Sequence, residues 1–421
     1  MTQARWNRDT LNLNRPDLLG QELADDAFRH LRAKLPVYWY QEGRRNVGFW
    51  NITKYEDVMF ISRHPDLITS SKEIFSAYPR HVPEIDPEAD DRGKHLIKMD
   101  PPRHDRMRRL VNRGFTPSAV NALEPLIREI TGNILDDIER QERVDFVIDV
   151  ASRLPLAVVC ELVGIPKENR PITLHLTNKM LRATEPEYQA DVPDEIRGTP
   201  EATRLTMHQG IQGMRAHIRE HLRDRSAGRP DQLLSLLVDP GDCGTTITDD
   251  EIEWFAVLLM NAGQETTRNA ISGGFRALCE HPGERRRLQE DMSLLPSAVE
   301  EILRWVSPVA RMARVATGDV EIRRKQIKEG ERVVMWYPSA NFDEDVFEDP
   351  YTFDITRDPN DHLAFGIGEH GCLGAGFARL ELKVMFEELF RRFPAIRLDG
   401  DPDDLCSNFI GGVKHLPVRL A

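Results

Sequence analysis

The first legible pattern lies between Pro36 and Ile52, where two runs of β-branched and aromatic residues, PVYWY (Pro36–Tyr40) and VGFWNI (Val47–Ile52), flank the charged EGRR. It predicts a β-hairpin. From Ser70 to Lys98 the periodicity disappears among prolines and charges, which predicts a long surface loop with a task. Beyond Pro102 apolar residues recur at helical spacing for about two hundred residues. The stretch Thr184 to Pro200, TEPEYQADVPDEIRGTP, interrupts that text with Pro, Gly and acids and predicts a second mobile loop.

The clearest helix starts after Thr248, where TDDE offers Thr248 as N-cap and Glu251 three residues on, a capping box with acids at the positive end of the dipole. Nothing stops it before His281-Pro282-Gly283. At about 1.5 Å per residue it would run near 48 Å, enough to cross the molecule. Its first half contains WFAVLLM, apolar almost all round, which marks a helix buried at the centre of a large core. A further helix is predicted with Ser297 as cap and Glu300 at its third position, ending before Pro308. ERVVMWY (Glu331–Tyr337) reads as a strand, a last helix follows Cys372 and ends at Phe393-Pro394, and a final strand pattern covers Val413–Leu420. No repeat and no linker rich in Gly, Ser or Pro divides the 421 residues, so a single domain spanning 1–421 is expected.

Composition narrows the class of molecule. With 40% hydrophobic and 30% charged residues the chain is a folded globule, not a disordered one. A formal charge of −13 argues against nucleic acid as a partner. The polar start, MTQARWNRDTLNLNRPD, does not resemble a signal peptide, and no run of about 18 apolar residues offers a membrane anchor. Five scattered cysteines, with no CxxC pair, point to a reducing cytoplasm and away from a zinc module or disulfide scaffold.

One cysteine stands apart. Cys372 lies among Gly366, Gly368, Gly371 and Gly374 directly before an amphipathic helix, where backbone N–H groups and the helix terminus favour a thiolate and glycines let a flat ligand approach. A haem iron needs such an axial ligand. An isolated cysteine in a glycine-rich turn is more often an inert buried thiol, but the whole pattern, Phe365-Gly366-x-Gly368-x-His370-x-Cys372-x-Gly374, resembles the haem-binding signature of the cytochrome P450 family of haem-thiolate monooxygenases. Four further family motifs occur in order, so the resemblance covers nearly the whole chain.

The resemblance implies a mainly α cytochrome P450 fold, a triangular helical domain with a small β-rich region, holding haem b. In NAGQETT, Gly and adjacent hydroxyls weaken the helix ladder, so a widened turn with room for O2 and water is expected. By resemblance Thr266 hydrogen-bonds the oxygen under activation and Glu265, where the family more often has Asp, relays protons; Ala262 flanks the haem. Glu301 and Arg304 match the ExxR motif and form a structural network with Arg357. His104 and Arg108, Arg314 and His370 match the propionate ligands, with Phe365, Gly366 and Gly374 around the cysteine.

Resemblance also places Ile74, Phe75, Leu259, Val309, Ala310, Phe409 and Ile410 on the substrate walls. Such residues suit an apolar molecule of terpenoid, steroid or fatty-acyl type, with Gln264 a candidate for an orienting hydrogen bond. The text AGQETTRNAISGG and SNFIGGVKHLPVRL is similar to members acting on steroids and methyl-branched lipids. Electrons from NAD(P)H are expected through a ferredoxin reductase and a ferredoxin docking near Arg103, Arg106, Arg109 and Arg113, a basic cluster on an acidic protein. A haem-thiolate peroxygenase and a non-catalytic haem sensor are the alternatives; the Glu265–Thr266 pair speaks against both.

Overall fold

The computed structural model describes residues 13, 22–42, 47–72, 93–223 and 247–420; Ile74 and Phe75 lie outside them. The aromatic runs form the expected hairpin, Val37–Glu42 antiparallel to Val47–Ile52, with Trp39 opposite Trp50. The second strand pairs in parallel with Arg332–Trp336, which in turn pairs with Arg311–Ala316 and, through it, with Ile68–Thr69. Arg332–Trp336 is central in this five-stranded sheet and buried at every position, as its unbroken VVMW suggests. Strand alternation then places Met312 and Arg314 on one face, and both border an interior cavity.

Helices form the rest of the core. Asp249–Glu280 is one α-helix of 32 residues, and its capping box is present: Thr248 Oγ1 accepts the Glu251 N–H at 3.2 Å and the Glu251 carboxylate accepts the Thr248 N–H at 3.0 Å. Its first half, with Ile252, Phe255 and Met260, belongs to one apolar cluster, and its second half, with Ala270, Ile271 and Phe275, to another. The widened turn expected at NAGQETT is not there. Thr266 Oγ1 donates to the Ala262 carbonyl at 2.7 Å, and that oxygen has a second lone pair, so the bond forms without opening the ladder.

The ExxR helix begins earlier than its sequence suggests, at Leu295. Pro296 suits the first turn, and the preceding turn is capped by Asp291, which accepts the Ser293 N–H; Ser297 lies inside the helix, its hydroxyl donating to the Leu294 carbonyl at 2.9 Å. The chain around Thr184–Pro200 is also tighter than expected. It carries two short helical turns, Pro186–Gln189 and Asp194–Ile196, and Gln189 is buried, donating to Ala183 O and accepting from Gly198 N. Lys414 clamps its start, at 3.0 Å from Glu185 and 3.3 Å from Glu187. The C-terminal pattern divides in two: Val413–His415 pairs with Asp403–Asp404, and Pro417–Arg419 joins Arg143–Asp145 and Arg397–Leu398. Among the described residues no helix is long and apolar enough to cross a membrane.

Candidate active site

The cysteine loop is shaped by its glycines. Gly366 and Gly368 have φ of +63° and +75°, and a Cβ on Gly368 would collide with the Ser62 carbonyl. The Cys372 N–H donates to Phe365 O at 2.8 Å, closing the loop before helix Ala375–Arg392 begins. The accessible surface of Cys372 is cavity surface, since the side chain is enclosed yet borders an interior space of about 240 Å³. Burial pushes its thiol up, while the Gly374 N–H, Arg108 and Arg379 pull the other way. Arg379 also lies 4.6 Å from the Phe365 ring centroid and pairs with Glu300 at 2.7 Å, so two motif residues share one brace.

Facing Cys372 across this space are Ala262, Gly263, Thr266 and Thr267 of the long helix. Glu265 faces neither this cavity nor the one beside it. It is 1% exposed and gripped by Arg268 at 2.5 Å and Arg182 at 3.2 Å. Burial pushes its carboxyl up, with Arg182 pulling against it.

His104, Arg108, Arg314 and His370 converge on the cavity rim, together with Phe365, Gly366 and Gly374 on its wall. The two imidazoles lie 4.5 Å apart, centroid to centroid, and each has a buried Nε2 with no hydrogen-bond partner. Burial, then Arg314, His104 and Arg108, push His370 down to about 3. Burial lowers Arg314 as well, and its Nη1 donates only to the Ala313 carbonyl at 2.8 Å. His104 Nδ1 lies 3.2 Å from Asp105. Among the described residues, however, Arg108 and Arg314 have no ion-pair partner and both imidazole Nε2 atoms are orphaned, so these groups remain available to carboxylates of a bound group. The residues present fit a flat macrocycle that carries two carboxylates and whose metal would take a thiolate.

A second acid was not legible as part of the site. Glu381, on the helix after the cysteine, lines the same cavity, is 4% exposed, and has one carboxyl oxygen with no partner; burial pushes its carboxyl well above the usual range. The signal was present as an acid on the stripe Phe377, Leu380, Val384, all buried. Arg182 was missed because nothing local marks it, 83 residues from its partner Glu265; Arg268, also missed, was legible as an i,i+3 partner of Glu265, the spacing shared by Glu301 and Arg304.

Behind the loop, Glu301 and Arg304 are both fully buried and joined by two 2.8 Å contacts. Glu301 also receives Arg357 Nε at 3.2 Å, Asn360 Nδ2 at 3.1 Å and the Asp354 N–H at 3.0 Å, while Arg304 donates to the carbonyls of Asn341 and Pro350.

A neighbouring cavity of about 290 Å³ shares Ile97, Leu258, Ala262, Thr266, Val309 and Met312 with the first, so Thr266 stands where they meet. Phe409 and Ile410 line it, and Leu259 borders the cysteine-side space. Ala310 borders neither. Val309 bridges Ile410 across the strands and faces inward, so its neighbour Ala310 turns to the other side, its N–H on Phe409 O at 2.9 Å. Gln264 is likewise sealed from both cavities, fully buried with neither amide atom partnered.

The family model for cytochrome P450 matches residues 27–415. A methyl-branched lipid omega-hydroxylase of Mycobacterium tuberculosis is 38% identical over 95% of this chain and 92% of its own length. A steroid C26-monooxygenase of Mycolicibacterium smegmatis is 36% identical over 97% and 92%. Among solved structures, a Mycobacterium marinum cytochrome P450 in complex with pseudoionone has a TM-score of 0.85 at 32% identity, covering 99% of this chain and 100% of that one. A Bacillus megaterium protein in complex with testosterone has a TM-score of 0.82 at 31% identity, covering 98% and 99%.

Proposed function

The chain belongs to the cytochrome P450 family, so haem b is its cofactor and monooxygenation its reaction, and we propose that it oxidises a lipid of the methyl-branched or steroid kind near one end. The observation that carries this reading is the apolar second cavity opening onto Thr266, walled by Met180, Leu181, Ile211, Leu258, Phe409 and Ile410. It suits a hydrocarbon body that presents one end to the cysteine-side space. The names of the two mycobacterial relatives agree with it.

When bound, haem supplies the redox chemistry that splits O2 and delivers one atom to a C–H bond. Our reading gives Cys372 to the iron, and His104, Arg108, Arg314 and His370 to the propionates. Thr266 would hold a proton at Oγ1 beside the reacting oxygen. Glu265 would replenish it by turning out of the grip of Arg182 and Arg268, a step that makes proton supply depend on those ion pairs. Glu301, Arg304 and Arg357 fix the loop and touch no reacting atom. We read residues 1–421 as one domain, since the long helix joins both larger apolar clusters.

Titration of the haem-loaded protein with a methyl-branched fatty acid and with a steroid bearing an alkyl side chain should produce a low-to-high-spin shift and a product oxidised at the chain end. A shift with small aromatics and with neither lipid would overturn the reading. With the lipid that binds, Thr266→Ala is expected to lower product per NAD(P)H by about tenfold and raise hydrogen peroxide. Wild-type coupling in that variant would remove Thr266 from proton handling.

We also propose a ferredoxin and its reductase as electron donors, in a reducing cytoplasm where Cys160 and Cys279 remain free thiols. The basic cluster on helix Arg103–Val111 supports this in a reduced form. Arg106 is bound to Glu251 at 2.9 Å and Arg103 lies 3.8 Å from the same carboxylate, so both serve the capping box; Arg109 is exposed. Arg109→Glu should slow reduction by a ferredoxin several-fold at low ionic strength, with the difference fading in salt. Equal rates at low salt would place the donor elsewhere.

A further inference from the structure

The second cavity is apolar except at a few points, and most of those are already engaged. The Ser407 hydroxyl accepts the N–H groups of Phe409 and Ile410, each at 3.2 Å. His95, Lys98 and Asn408 have partners of their own, and His95, whose buried Nδ1 makes no hydrogen bond, is also held edge-on against Trp254 at 4.6 Å between ring centroids. Asn261 differs. It lies on the long helix next to Ala262, at the first polar position after the run WFAVLLM, and forms part of the cavity wall. Its amide oxygen is shut off from water and has no hydrogen-bond partner. Its NH2 makes one contact, with Met180 Sδ at 3.5 Å, and a thioether is a weak acceptor. An amide oxygen sealed from water without a partner is costly in an apolar wall. Rotation about its last side-chain bond turns either end to the cavity at the loss of only that sulfur contact.

We propose that Asn261 is a specificity-determining residue that hydrogen-bonds a hydroxyl group on the substrate. A hydroxyl suits this amide because it can donate to the oxygen or accept from the NH2, whichever end faces it. The inference rests on the lipid reading above and adds to it a polar group at a set distance from the oxidised end. Asn261 precedes Thr266 by five residues, about 7.5 Å along the helix. With the roughly 140° turn around the helix added, the two side chains stand about 10 Å apart. At roughly 1.2 Å per bond of an extended chain, that separates hydroxyl and oxidised carbon by about eight bonds, the spacing in 7-methyloctan-1-ol. Lipids with a hydroxyl at that spacing gain the bond, and those with it far beyond do not, because a site built for a polar group discriminates mainly by leaving that group unpaired.

The test uses haem-loaded wild type, Asn261→Leu and Asn261→Asp, titrated by spin-state spectra and by calorimetry. Three probes are compared: 7-methyloctan-1-ol, its deoxy counterpart 2-methyloctane, and 11-methyldodecan-1-ol. Asn261→Leu should weaken 7-methyloctan-1-ol about tenfold while leaving 2-methyloctane unchanged or tighter. Asn261→Asp, which still accepts a hydroxyl proton, should retain most of the affinity for that alcohol, and the longer alcohol should respond little to either variant. Equal weakening of alcohol and alkane by Asn261→Leu would make the residue a packing element and overturn the proposal, as would no weakening of either. Failure of all three probes to bind wild type would overturn the lipid reading and this inference together, a pattern distinct from a loss confined to Asn261.

Discussion

Cys372→Ala is expected to abolish the thiolate-type Soret band of the reduced, carbon monoxide-bound protein and to reduce monooxygenation to background. No other described cysteine can take its place. Cys160 is buried away from both cavities and burial pushes its thiol to about 12; Cys279 lies against the core; Cys406 lines only the second cavity. The variant should still fold, since removing one sulfur at a cavity wall deletes no core packing and leaves the 2.8 Å bond from residue 372 N to Phe365 O intact. Haem content, carbon monoxide spectra and circular dichroism on the same preparation separate the outcomes. A normal Soret band in Cys372→Ala would mean that another residue ligates the iron.

The largest effect on stability is expected from Glu301→Leu. It leaves Arg304 buried at 0% exposure with carbonyl partners only, and unpairing one member of a buried ion pair costs about 3–5 kcal/mol. The loss should lower the thermal midpoint by roughly 3–6 °C and release haem at lower denaturant. As a control, Arg391→Ala removes an exposed i,i+3 pair with Glu388, of the surface kind that contributes little to stability. Equal midpoints for Glu301→Leu and wild type would deny the network its structural role.

The hairpin, the long helix and its cap were legible because each is local: alternation over six residues, a capping box over four, an apolar run over seven. The cysteine loop was legible for the same reason, its glycines answering to backbone geometry within ten residues. What sequence hid depends on contacts across the fold. Glu265 reads as a neighbour of Thr266, yet consecutive helical residues point about 100° apart, and a distant arginine decides what the acid faces. Ala310 and Val309 look interchangeable in sequence, and strand alternation gives them opposite sides. Ser297 reads as a cap, but the helix starts two residues before it, at Leu295, with Pro296 in the first turn. Asn261 stood in plain text as a break in an apolar run, but only a cavity beside it gives that break a meaning.

Phe342 to Gly374 holds no helix or strand, although it ends in the cysteine loop. Its backbone groups are met by tight turns and, between them, by side chains: Glu301 takes the Asp354 N–H, Asn341 Oδ1 takes the Leu363 N–H at 2.6 Å, and Arg357 binds the carbonyls of Glu348 and Thr352. Fixing each residue of an irregular chain costs about 1–2 kcal/mol of conformational entropy. Because that ordering is completed when the protein folds, the Cys372 loop is preorganised and little of that cost has to be met again on cofactor capture. Mutations in this scaffold should therefore register first as slower or weaker cofactor loading, before any change in the chemistry of enzyme already loaded.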